Sequence, residues 1–371
     1  MSSKLVFAHQ LRGFAAILIV VTHYFGIFYG AQQVVANVTF SPNLNLTAPG
    51  WTSYMAWPYL NGPFGVALFF LISGLVIPFS LRSNSPRAFM VARLFRIYPT
   101  YLFCLGIGLL AIFLSAHYWQ QAFALPGRQV ASNLLLVHNL LGEASLDTVN
   151  WTLAIELKFY LLAALAPAMF LRPNLRAMAL FVVTVIGLNL MLPGLALAMP
   201  GKFAQIAMPA LVSDLNYVCF MLAGVLFYQH LQGQLGLLRL AAGCALLLGG
   251  FSLAWSLGPQ KETYPILIQY YYCAFGLFSV CFLLRRYFRP QRILDFLADI
   301  SYPLYAVHSL TGYALLKMVM NQGLSFGRAV VLTVILIFAL AWLIHKTVEI
   351  WSSAYGKKIG GQFAPRAAAA T

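Results

Sequence analysis

About ten apolar runs, each near 20 residues long and parted by mostly short stretches, with two longer ones at about 31–61 and 117–150, leave this chain few ways to fold. A helix of that length crosses the roughly 30 Å hydrocarbon core of a bilayer, and a helix satisfies its own backbone polar groups in lipid. Runs at 11–29, 62–80, 98–116, 151–171, 176–198, 209–230, 237–257, 264–284, 296–319 and 327–349 therefore predict an all-α, polytopic integral membrane protein. The run from Val130 to Leu141 is apolar but too short to cross, and reads as an interfacial or re-entrant helix. No repeat or second globular unit interrupts the series. One membrane domain fills 1–358, and an Ala-rich flexible tail follows over 359–371.

Charge then sets the orientation. Only 8% of residues are charged, against about 25% in soluble domains. The net charge is nevertheless +15, from 23 Lys and Arg against 8 Asp and Glu. That balance excludes a disordered chain, a disulfide-stapled secreted module and an ordinary cytosolic enzyme. It also argues against a nucleic-acid partner, because the basic residues sit between apolar runs and not on a solvated domain. Ten crossings put both termini on one side. Seventeen basic residues, Lys4 and Arg366 among them, fall on that side, and Arg128, Lys202, Lys261, Lys317 and Arg328 on the other. The positive-inside rule makes the termini cytoplasmic, in the plasma (inner) membrane. The five cysteines lie singly in apolar runs without metal-ligand spacing, so neither a metal nor a permanently bound cofactor is expected.

Polar groups inside apolar runs need a reason. Arg12 and His23 are eleven residues apart, which returns a helix to within about 20° of its start and advances it about 16 Å. One helix face thus carries a cation near the cytoplasmic surface and an imidazole in the outer half. Arg12 alone serves as a topology anchor; an intramembrane histidine points to function before packing. Ser73 and Gly74, in Phe-Phe-Leu-Ile-Ser-Gly, either let two helices approach or form the small-residue wall of a channel for a slender ligand. Arg93 and Arg96 lie one turn apart and offer two guanidinium forks to the phosphates of a nucleotide-like cosubstrate. Glu156 and Tyr160 share a helix face, whereas Lys158 points elsewhere and needs a partner of its own. Ser301, Tyr305 and His308 follow the i, i+4, i+7 pattern and make one polar stripe, with Pro303 placed to kink it. Glu349, one turn from His345 and near many arginines, reads as a salt-bridge partner, while Asp214, Asp299 and His138 receive no role.

In this order the motifs resemble one family, the acyltransferase-3 integral-membrane acyltransferases that modify cell-surface glycans. The likeness covers about residues 5–355. It rests on the Arg12-to-His23 spacing, Phe-Phe-Leu-Ile-Ser-Gly, Arg-Leu-Phe-Arg-Ile-Tyr-Pro, Trp-Thr-Leu-Ala-Ile-Glu-Leu-Lys-Phe-Tyr, Ser-Tyr-Pro-Leu-Tyr-Ala-Val-His and the closing Lys-Thr-Val-Glu. Ala306 stands where the family often has Leu, and no hydrolase-like domain follows the last span, so spans and loops alone are expected to handle the acceptor.

The resemblance implies a cytoplasmic acyl-CoA donor, acetyl-CoA first and succinyl-CoA second. It implies an acceptor hydroxyl on a cell-surface or lipid-linked saccharide, with membrane lipids as surroundings. His23 corresponds to the catalytic histidine, Arg12 to its basic partner, and Arg93 and Arg96 to the donor side. On that basis His23 acts as general base, and Glu156 or a tyrosine fixes its tautomer. Ser73 and Gly74 flank the pantetheine arm, and Tyr160, Tyr305 and His308 contact substrate. A proton-coupled transporter of a sugar or lipid-linked sugar, with His23, Glu156 and His308 as relay, is the competing class.

Overall fold

A computed structural model describes residues 5–363 apart from Pro200, and among these the regular structure is entirely helical. Among the described residues, eight helices are long and apolar enough to cross a membrane. They are α1 (Val6–Gly30), α2 (Gly62–Arg82), α3 (Pro86–Tyr118), α6 (Leu175–Ala198), α7 (Phe203–Leu231), α8 (Leu237–Leu257), α9 (Lys261–Leu283) and α12 (Phe326–Gly361). Shorter or more polar are α4 (Gly127–Leu134), α5 (Trp151–Leu165), α10 (Arg292–Asp299) and α11 (Ser301–Asn321).

Local signals explain the boundaries. Ser85 Oγ accepts the Ala88 amide at 3.2 Å ahead of Pro86, and Asn174 Oδ1 accepts that of Ala177 at 3.0 Å, each closing a helix start. The expected crossing at 151–171 is broken: α5 stops at Leu165, Ala166 leaves helical geometry, and a short helix Pro167–Leu171 follows. Pro167 has no amide proton for the ladder and biases the residue before it away from the helical region. The expected run at 296–319 divides at Ile300 into α10 and α11. Pro99, by contrast, leaves α3 continuous, so Arg93 and Arg96 ride on the spanning helix itself.

The segment 130–141 is not one helix. α4 ends at Leu134, Leu136 takes a left-handed φ of 56°, and a 3₁₀ turn covers Asn139–Leu141. Tyr101 Oη and Tyr98 Oη of α3 donate to the carbonyls of Asn133 and Leu135 at 2.6 and 3.0 Å, and this fixes the irregular backbone. Lys4, Arg366 and residues 364–371 of the expected tail lie outside the described residues, while 359–361 extend the last helix.

α2 and α7 are the central pair. Gly74 and Gly224 face each other where they cross, and a Cβ on Gly74 would overlap the Met221 carbonyl oxygen and lie 2.9 Å from Gly224 Cα. Gly74 therefore sets a helix crossing, as small residues do in membranes, and lines none of the cavities described below. α1 packs on α2, α10 and α11, while α3 and α12 brace α11 from outside. α1, α2, α5 and α11 enclose the site.

Candidate active site

His23 does not sit on a regular α-helix. The turn Thr22–Ile27 is a π-helix, a widening found disproportionately at functional sites. Thr22 Oγ1 lies 2.9 Å from the Leu18 carbonyl and 3.0 Å from that of Leu60, drawing the helix toward the chain ahead of α2. His23 Nδ1 lies 2.7 Å from Tyr313 Oη of α11, and its ring meets His308 edge to face at 4.7 Å. Tyr24 Oη donates to the His308 carbonyl at 2.9 Å. His308 Nδ1 lies 2.9 and 3.1 Å from the carbonyls of Tyr305 and Leu304. Carbonyls only accept, so Nδ1 carries the proton and Nε2 keeps its lone pair.

His23 faces a chamber of about 550 Å³ at the Gly30 end of α1, the outer chamber, walled by Thr22, Thr52, Asn61, Thr148, Trp151 and Tyr270 among others. Val66 and Tyr305 also line a narrow passage of about 50 Å³, which holds Phe69, Phe70, Ser73 and Glu156 and runs on to Arg12 and Ser301. Tyr305 Oη and Thr152 Oγ1, 2.6 Å apart, form its outer rim. Arg12 and Ser301 in turn line an inner cavity, toward the start of α1, of about 980 Å³, whose walls include the cations Arg82, Arg96 and Lys357 and the carboxylates Asp299 and Glu349. Chamber, passage and basic cavity thus follow one another, each sharing wall residues with the next.

Several expected site residues take places the sequence did not define. Glu156 belongs to the passage: its Oε1 accepts from Ser73 Oγ at 2.9 Å and Tyr160 Oη at 2.5 Å, whereas a tyrosine, Tyr313, holds His23. Arg96 faces the inner cavity, but Arg93 is buried in a side pocket of about 40 Å³, its guanidinium 5.5 Å from the ring centres of Phe89 and Tyr160. Tyr160 stands in that pocket, away from the chamber, while Tyr305 and His308 stand at or beside it. The stripe Ser301–Tyr305–His308 runs from the inner cavity to His23. Lys158 pairs with Asp214 at 2.8 Å, and Asn139 Nδ2 donates to the same carboxylate at 2.9 Å, tying the irregular 135–142 backbone to α7. Glu349 takes His345 at 2.8 Å, and Asp299 lies 3.3 Å from His9.

A second stripe escaped the sequence reading. Ser309, Tyr313 and Lys317 follow i, i+4, i+8 on α11. Ser309 Oγ and Thr148 Oγ1 are 2.8 Å apart, Tyr313 holds His23, and Lys317 Nζ donates to Ser41 Oγ at 2.5 Å and the Pro42 carbonyl at 2.6 Å.

Asp147, also overlooked, is buried in the loop before α5. The amide of Val149 donates to its Oδ1 at 3.3 Å, yet burial pushes its carboxyl up to about 6. A carboxyl whose folded pKa exceeds the unfolded value of about 3.9 costs stability as pH rises through the interval between them. Wild-type melting temperature in detergent should fall between about pH 4 and 6, by roughly 3 kcal/mol in free energy. Asp147→Asn should remove that fall; the same slope in the variant would assign it to another group.

A family model described as an acyltransferase domain matches residues 6–346. Among curated proteins and solved structures none matches significantly. With α1 through most of α12 inside that match, and His23, the passage and the basic cavity all within it, the chain belongs to the acyltransferase-3 family of membrane acyltransferases.

Proposed function

We propose that this chain moves an acyl group, acetyl first, from cytoplasmic acyl-CoA to a hydroxyl of a cell-surface or lipid-linked saccharide. The observation that carries the reading is the shared-wall series of cavities, with cations at one end and a buried imidazole at the other. Arg12, Arg82, Arg96 and Lys357 suit the phosphates of CoA, and the narrow passage suits a pantetheine arm that brings the thioester toward His23. His23 takes the proton of the acceptor hydroxyl through Nε2, while Nδ1–H donates to Tyr313 Oη. The alkoxide oxygen bonds to the thioester carbon, the C–S bond breaks, and the imidazolium returns the proton to the CoA thiolate.

In this reading α5 with Pro167–Leu171, and α11, complete ten crossings in the plasma (inner) membrane. The basic cavity opens on the cytoplasmic side, where the positive-inside rule also puts both termini. The test uses purified protein in nanodiscs with acetyl-CoA and a membrane extract that supplies acceptor. Acceptor-dependent release of CoA thiol is expected. Sugar accumulation in sealed vesicles without thiol release would instead identify a transporter. Arg96→Ala should raise KM for acetyl-CoA about 10- to 100-fold with little change in kcat, since a lost charged hydrogen bond is worth about 1.5–3 kcal/mol. A kcat loss at unchanged KM would remove Arg96 from the donor site.

A further inference from the structure

Building on the acyl-transfer reading, we propose that the outer chamber admits only uncharged reactants. The acyl group is then short and neutral, acetyl over succinyl, and the saccharide unit that receives it bears no carboxylate, phosphate or ammonium. The chamber walls carry hydroxyls, an amide and aromatic rings, and among the described residues that line them none is Lys, Arg, Asp or Glu. The outward cations that would suit an anionic acyl group are placed elsewhere. Arg128 pairs with Glu143 at 2.9 Å, Lys317 is held by Ser41 and Pro42, and Lys202, Lys261 and Arg328 do not line the chamber.

A buried acid adjoins this wall and disfavours an anion. Asp147 immediately precedes Thr148 and Val149, which form part of the wall. A carboxylate seated against His23, deep in the chamber, sheds part of its hydration and finds no cation in exchange. The inner cavity is charged by contrast, with four cationic side chains, Arg12, Arg82, Arg96 and Lys357, against the two carboxylates of Asp299 and Glu349 in its wall. The charged half of the donor therefore stays inside. A succinyl carboxylate, beyond the thioester carbon, would have to pass Phe69, Phe70 and Tyr305 to end in the uncharged chamber.

The chamber suits a neutral sugar in both its parts. Trp151 and Tyr270 offer flat apolar surface to the ring faces, and Thr22, Thr52, Asn61 and Thr148 offer partners to its hydroxyls. The transfer itself leaves no charge behind. An O–C bond replaces the C–S bond, and the hydroxyl proton ends on the departing thiol.

The test supplies the full chain in nanodiscs with equimolar, differently labelled acetyl-CoA and succinyl-CoA and native membrane extract as acceptor source. Esterified glycan is then read by mass spectrometry. Acetyl esters are expected in at least about 100-fold excess, on uncharged units, and only with His23 intact. Succinyl esters at a comparable level, or acetyl on a uronic acid, would overturn the uncharged chamber and leave acyl transfer standing. No His23-dependent ester from either donor would overturn the acyl-transfer reading itself. Met55→Lys, which places an ammonium on the chamber wall, should narrow the acetyl-to-succinyl ratio about tenfold. An unchanged ratio would also count against the proposal.

Discussion

His23→Ala should lower kcat for acyl transfer by about 10²- to 10⁴-fold, the range that a positioned general base contributes. KM for acyl-CoA should stay within about threefold, because the inner cavity that suits the donor phosphates is lined by Arg12, Arg82 and Arg96 and not by His23. The size of the loss follows from the surroundings. His23 is buried between Tyr313 and His308, and no other imidazole or carboxylate lines the chamber. His308 cannot take over directly, since its Nδ1 is committed to two backbone carbonyls and the ring does not line the chamber. Tyr313→Phe should give a smaller kcat loss and a displaced pH profile, because the base remains but its tautomer is no longer held. Transfer by His23→Ala at near wild-type rate would end the general-base scheme, whatever KM did.

The second large effect is on folding. Gly74→Val should abolish most folded yield, and Gly224→Ala should lower the melting temperature sharply, by at least about 1–3 kcal/mol. At each position the new carbon meets backbone: Met221 carbonyl oxygen for Gly74, Leu71 carbonyl oxygen for Gly224. Backbone cannot rotate aside as a side chain can, so the two central helices must separate along their length and lose close packing on both sides. Gly276 is the control. A Cβ there meets nothing within 4 Å, so Gly276→Ala should be neutral or stabilise by up to about 1 kcal/mol. If Gly224→Ala melted like wild type, the tight crossing would not hold the bundle together.

The helical membrane architecture was legible because bilayer thickness and helical rise leave little freedom to a run of apolar residues. Helix periodicity was equally informative for Glu156 and Lys158, two residues apart, which reach Ser73 and Asp214 respectively. The stripe Ser301–Tyr305–His308 was legible for the same reason. Periodicity could not say which of two plausible roles Gly74 plays, since a missing side chain suits a channel wall and a helix crossing alike. Tyr313 lay off the first stripe by five residues from His308, and aromatic side chains are too common here to mark one out. The pairing of Tyr313 with His23 joins positions 290 residues apart, which no local pattern encodes. Asp147 belongs to no helical stripe, and only the fold, which buries it ahead of α5, marks it out.

The second stripe on α11 has a mechanical consequence. One rigid rod is pinned through Ser309 to the loop before α5, through Tyr313 to α1, and through Lys317 to the chain at 41–42. Three attachments therefore share a single lever, and none can shift without loading the others. The 3₁₀ segment Gly50–Ala56 is fastened separately, by Asn61 to the Met55 carbonyl and Tyr270 to that of Ala56. Panel and lever are thus held by separate contacts, and the histidine belongs to the lever, so a displacement of the panel need not move the imidazole.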